Sequence, residues 1–170
     1  MTRIVLVLLV LMGTAGAVVA YGDPERIATA GHVVSSMLHQ KAAPKPRVVK
    51  IERADNGEFT LKAKINGVSA PMVIDTGATS VVLSYETAKA AGLPLELLTF
   101  DVDVETAGGH TRAARLSLDR LAVGKLVERS VPALVVPRGQ MKTNLLGMSF
   151  LNRLEKFEVH PDQLVLHGYP

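Results

Sequence analysis

The chain has no cysteine and no tryptophan, and aromatic residues make up only 4% of it. Without cysteine there is no disulfide framework, no thiol nucleophile and no thiolate-bound metal, so stability must come from packing, within the chain or between copies of it. A block of one charge is also missing: 19 Lys and Arg stand against 16 Asp and Glu, for a net charge of +3. These charges are interspersed and carry no interleaved aromatics, which argues against a nucleic-acid surface. Ser84, Ser117, Ser130 and Ser149 lack a Gly-x-Ser-x-Gly elbow, the five His lack zinc-protease spacing, and Val123-Gly124-Lys125 lacks the upstream glycine of a phosphate loop. His32 and His39 could share a helix face, but two imidazoles without a third ligand make a weak metal site.

What is present is aliphatic. Of 170 residues 48% are hydrophobic, mostly Val, Leu and Ala, which suits one strand-rich domain. Arg3 precedes an uncharged run from Ile4 to Ala20, at about 17 residues the short end of what spans a bilayer. Residues 1–20 therefore read as a transmembrane anchor or a signal peptide, and the charge before the run places the rest away from the cytoplasm. That means an inner-membrane anchor with the domain in the periplasm, or a secreted or periplasmic protein after cleavage. Residues 21–47, with Pro44 and Pro46, read as a flexible linker, and the folded domain is expected over 48–170.

Within that domain Phe59, Leu61, Ala63 and Ile65 alternate with Thr60, Lys62 and Lys64, the period of a half-buried strand. Asn56-Gly57 and Asn66-Gly67 mark turns on either side, so a hairpin leads into a strand over Val68 to Ile74. Val81 to Leu83 is a short strand, and Ser84 caps a helix from Tyr85 to Ala91. Phe100 to Thr106 alternates again, followed by the Gly-rich tip Ala107-Gly108-Gly109-His110 and a return strand over Thr111 to Leu118. Asp101, Asp103 and Glu105 on the first of these strands suit a solvated face better than a calcium site. Leu121 to Gly124 reads as a turn, Val131 to Val136 as a strand, Ser149 to Leu154 as a short helix, and Phe157 to Leu166 as a closing hairpin. About nine short strands with frequent turns fit a small barrel or sandwich.

One stretch stands apart. Met72-Val73-Ile74 delivers Asp75 into the turn Thr76-Gly77-Ala78-Thr79-Ser80, placing a carboxylate where a turn meets a core. Such a group needs donors, and Thr76, Thr79 and Ser80 are the nearest hydroxyls, while Gly77 allows close backbone approach or φ > 0. Asn144-Leu145-Leu146-Gly147 later delivers a second apolar pair into a glycine.

Taken together, the Asp-Thr-Gly-Ala-Thr-Ser turn, the Glu-Thr-Ala-Gly-Gly hairpin and Leu-Leu-Gly-Met-Ser-Phe-Leu resemble the retropepsin-like aspartic proteases, in particular the bacterial single-domain branch with an N-terminal membrane segment. The resemblance covers Arg53 to Gly168. It implies an all-β, small closed barrel with one or two short helices that forms a homodimer. It also implies an aspartic endopeptidase, with no metal or other cofactor, acting on extended polypeptides. Asp75 is then the catalytic carboxylate, and because no second Asp-Thr/Ser-Gly occurs, its partner is Asp75 of a second copy. Two carboxylates around one water, sharing a proton, are what this chemistry requires. The resemblance gives Thr76 the role of gripping the opposite loop, Gly77 a backbone N–H for the carboxylate, and Ala78, Thr79 and Ser80 the rest of the turn. Ala107, Gly108 and Gly109 correspond to a flap over substrate, and Leu145, Leu146 and Gly147 to the strand beneath the catalytic loop. The rival readings are a catalytically silent peptide-binding or dimerisation module on the same fold, and a structural protein displaying an anchored domain.

Overall fold

The computed structural model describes residues 47–106 and 109–170. The expected membrane segment and the linker lie outside the described residues, apart from Arg47, which opens the first strand. Among the described residues no helix is long and apolar enough to cross a membrane.

Alternation drives the first barrel strands. In β2 (Thr60–Ile65) Ala63 and Ile65 are fully buried while Lys62 and Lys64 face out. It pairs antiparallel with β3 (Val68–Ile74) through the Asn66-Gly67 turn. The chain continues through β4 (Val81–Leu83), the helix α1 (Tyr85–Ala90) and a short 3-10 turn (Leu95–Leu97). Ser84 caps α1 as expected, its Oγ accepting the Thr87 N–H. Then come β5 (Phe100–Thr106), β6 (Gly109–Val123), β7 (Leu126–Val135), β8 (Asn144–Leu146), α2 (Met148–Leu151), β9 (Lys156–Val159) and β10 (Gln163–Gly168).

Six strands, in the order β2-β3-β8-β4-β7-β6, form a ring that closes where β6 returns to β2. The closing pairs are Ile65 with Leu121 and Lys64 with Ala122. Leu121 to Val123 thus belong to a strand, not to the expected turn, which sits one step later at Gly124-Lys125. The reason is burial: Leu121, Ala122 and Val123 are 0%, 6% and 2% exposed, too apolar to sit in solvent. The strand expected from Val131 likewise starts earlier, at Leu126, because it pairs with β6 along nearly its whole length. β5 hangs on the outer side of β6, making a long hairpin that projects from the ring. The core inside is aliphatic, with Ile65, Met72, Leu83, Leu118, Leu146 and Phe150 all nearly or fully buried.

The two ends of the domain meet in a second sheet, β1-β10-β9, where β1 (Arg47–Glu52) pairs antiparallel with β10. Arg53 locks this arrangement. Its guanidinium donates to the carbonyls of Gly57, His160 and Pro161 and lies 4.3 Å over the Phe59 ring. On the sheet surface the half-exposed Glu158 bonds Lys156 Nζ and His167 Nε2, each at 2.9 Å. These bonds, that to Lys156 first, hold its carboxyl below the ordinary range. A carboxyl lowered in the folded state adds stability above its unfolded value and loses it as pH falls through the folded value. Glu158→Gln is therefore expected to lower the melting temperature slightly at neutral pH, with the gap closing in acid. Thermal melts across a pH series check this; a gap that is constant from neutral to acid pH would contradict it.

Candidate active site

Backbone geometry puts Asp75 at the mouth of the ring. β3 and β8 run parallel, pairing Met72 with Asn144, Val73 with Leu145 and Ile74 with Leu146. The Asp75 N–H then donates to the Leu146 carbonyl at 3.2 Å, the last link before the chain turns away. Within the turn, the Gly77 N–H donates to Asp75 Oδ1 at 2.9 Å and the Ala78 N–H to the Asp75 carbonyl at 3.3 Å. Gly77 is absent from the positive-φ residues; a Cβ there would sit 3.2 Å from the Asp75 carboxylate. Close approach, not unusual backbone, is what this glycine provides.

The expected hydroxyl donors do not serve the carboxylate. Among the described residues, Thr76, Thr79 and Ser80 make no side-chain hydrogen bond to Asp75, whose oxygen is served by the Gly77 amide. Thr76 and Thr79 are exposed and Ser80 and Asp75 partly so, because the turn points out of the ring toward solvent. Nearness in sequence made these hydroxyls the expected donors; the turn instead leaves Thr76 and Thr79 exposed and Ser80 partly so.

Leu145, Leu146 and Gly147 lie under this loop. A Cβ on Gly147 would fall 2.2 Å from the Ser80 carbonyl oxygen and 2.6 Å from that of Ala78. The backbone at Gly147 is ordinary, with φ −92°, so the demand is purely spatial. Directly after it, the Met148 N–H donates to the Ala78 carbonyl at 2.8 Å. The catalytic-type loop is thus bonded at both ends of its turn to one short segment, 146–148.

Two buried polar side chains complete the support, and sequence reasoning assigned a role to neither. Asn144, 2% exposed, donates from Nδ2 to the Pro71 carbonyl and accepts the Ser84 N–H at Oδ1. It ties the middle of β3 to the residue that follows β4. Ser149 Oγ accepts the Val81 N–H at 2.8 Å and donates to the Pro132 carbonyl at 2.7 Å, fixing where the loop re-enters the barrel. A polar residue beside an apolar strand was the only available signal, and its meaning depends on burial that a sequence does not display.

In front of Asp75 lies a groove of about 920 Å³. Val82, Leu145 and Val136 belong to a small apolar cluster separate from the main core, and they line it together with Val102 and Val104 of the projecting hairpin. Of the expected flap, Ala107 and Gly108 lie outside the described residues. Gly109 opens β6 with φ +110°, opposite Thr106. Asp101, Asp103 and Glu105 are exposed along β5; Asp103 lies 3.5 Å from Arg112, and Glu105 3.9 Å from His110. Among the described residues no cluster of three metal-ligating side chains occurs.

Comparison with known proteins agrees with this geometry. Residues 61–150 match the aspartyl protease family. A crystal structure of a retropepsin-like aspartic protease from Rickettsia conorii superposes with a TM-score of 0.66 at 30% identity, covering 73% of this chain and 92% of that one. An uncharacterised protein from the cobV 5' region of Sinorhizobium sp. is 37% identical over 118 residues, 69% of this chain and 51% of the relative. The uncharacterised RP867 of Rickettsia prowazekii (strain Madrid E) is 32% identical over 117 residues, 69% of this chain and 50% of the relative. The chain spans about half the length of these two curated relatives.

Proposed function

This chain belongs to the aspartyl protease family, and from that premise we propose that it is an aspartic endopeptidase whose active form is a homodimer. The observation that carries the proposal is the turn itself: one carboxylate, presented outward by a loop held rigidly from beneath, in front of an apolar groove. One such carboxylate is half of a catalytic pair. A second copy, placed so that the two Asp75 side chains meet across a two-fold axis, supplies the other half.

The chemistry follows from the pair. Two adjacent carboxylates share one proton and hold a water between them. The ionised one takes the water's proton as its oxygen attacks the peptide carbonyl, and the protonated one donates to the carbonyl oxygen. Collapse of the tetrahedral intermediate returns a proton to the leaving amine. In that dimer Thr76 grips the opposite loop, a role supported by its exposure and by the lack of any side-chain hydrogen bond to it among the described residues. The substrate is an extended polypeptide in the joined groove, closed over by the hairpins that carry Gly109. The N-terminal apolar run supports a location beyond the cytoplasmic membrane, anchored or released. Cleavage of an unfolded protein by the purified chain, abolished by Asp75→Asn, tests the assignment; equal cleavage by both would refute it.

A further inference from the structure

Groove electrostatics carry one step more, which rests on the endopeptidase reading. Of the two acidic side chains on its hairpin wall, Asp103 lies 3.5 Å from the Arg112 guanidinium and Glu105 lies 3.9 Å from the His110 ring. Asp75 receives the Gly77 amide. The two cations that line the same groove, Arg115 and Lys142, have no acidic group within 4 Å and no side-chain hydrogen bond among the described residues. These two are therefore the groove's cations left free to take a substrate carboxylate.

Arg115 is the better placed of the two. It stands on β6 just after the buried pair Ala113 and Ala114 and opposite Leu134 of β7, so its backbone is held in the sheet on that side. Its side chain is exposed and lines both the Asp75 groove and a neighbouring shallow hollow that Leu98, Thr99, Asp101 and Asp103 also line, with neither carboxylate within 4 Å of it. Next to it are the apolar Val102 and Leu134, which line the groove where a substrate side chain would sit. A planar guanidinium at the edge of an apolar recess can take a carboxylate through two parallel N–H donors.

We propose that Arg115 is a specificity-determining residue that selects polypeptides carrying an aspartate or glutamate a few residues from the apolar residue at the cleavage point. The substrate class is thus an extended peptide of mixed character, apolar at the recess and acidic at its rim. The contact lies at a partly solvated rim, so its effect on kcat/KM is about fivefold and weakens with added salt.

The test uses the full chain and a peptide set of constant sequence in which a single Glu, or Gln or Lys in its place, steps through four positions on each side of the cleaved bond. The expected result is a Glu over Gln preference at one position, about fivefold, that falls to unity in Arg115→Met and turns to a Lys over Gln preference in Arg115→Glu. Comparing peptides within each variant removes any general loss of activity or folding from the ratio. A flat Glu to Gln ratio at every position in the unaltered chain, or a preference that survives Arg115→Met, overturns the inference and leaves the endopeptidase reading standing. Failure to cleave any peptide of the set, Gln forms included, overturns the endopeptidase reading and this inference with it.

Discussion

Asp75→Asn is expected to reduce kcat by at least about 10³-fold while leaving the fold unchanged. The asparagine keeps an oxygen where Oδ1 accepts the Gly77 N–H, the only side-chain bond Asp75 makes among the described residues. What it cannot do is take a proton from water. Circular dichroism and the melting temperature should match those of the unaltered chain, and peptide hydrolysis should not. The rival reading, a silent peptide-binding module, predicts the reverse pattern: no hydrolysis by either protein and equal peptide binding by both. A variant that unfolds would instead show that Asp75 is structural, against its partly exposed position at the mouth of the ring.

Gly147→Ala should be the most damaging single-methyl change in the domain. Its Cβ would lie 2.2 Å from the Ser80 carbonyl oxygen and 2.6 Å from that of Ala78, and both are backbone atoms that no rotamer change can move. Relief requires the loop to lift off β8, which breaks the Met148 to Ala78 hydrogen bond and loosens the tie from Asp75 to Leu146. Overpacking of this kind costs roughly 3 kcal/mol or more, and activity should fall even where the variant folds. Gly77→Ala is the useful contrast. Its Cβ meets only the Asp75 carboxylate, at 3.2 Å, so stability should be nearly kept while activity drops. Denaturant melts and peptide hydrolysis on the two variants separate loop support from carboxylate placement. Equal stability of Gly147→Ala and the parent would contradict the tight seating of the loop.

Much of this arrangement was legible in the residues. The Phe59 to Ile65 alternation, the Asn66-Gly67 turn and the apolar run into Asp75 are local patterns, and each appears where its period places it. The place of Leu145-Leu146-Gly147 beneath the loop was legible only through the resemblance to the retropepsin-like proteases, since an apolar pair ending in glycine does not by itself say what it lies under. The missed features depend on long-range neighbours. Leu121 to Val123 is a three-residue apolar run before a glycine, with no period of its own, and only its pairing with β2 makes it the seam of the barrel. Pairing of β1 with β10 joins the two ends of the domain, and no local signal encodes it. Asn144 and Ser149 look like ordinary polar residues until burial leaves backbone groups that only they can satisfy. The hydroxyls of Thr76, Thr79 and Ser80 erred the other way: near Asp75 in sequence, they are turned from it by the direction in which the turn leaves the wall.

That direction also leaves Asp75 facing outward and without a second carboxylate on its own chain. The most direct measurement mixes unaltered chain with Asp75→Asn at fixed total concentration, under conditions that let subunits exchange, and follows peptide hydrolysis against the fraction of unaltered chain. If both Asp75 side chains are needed, activity follows the square of that fraction, and an equal mixture retains about one quarter of full activity. A straight line, with about half retained, would mean that each chain works alone and that Asp75 does not meet its own copy.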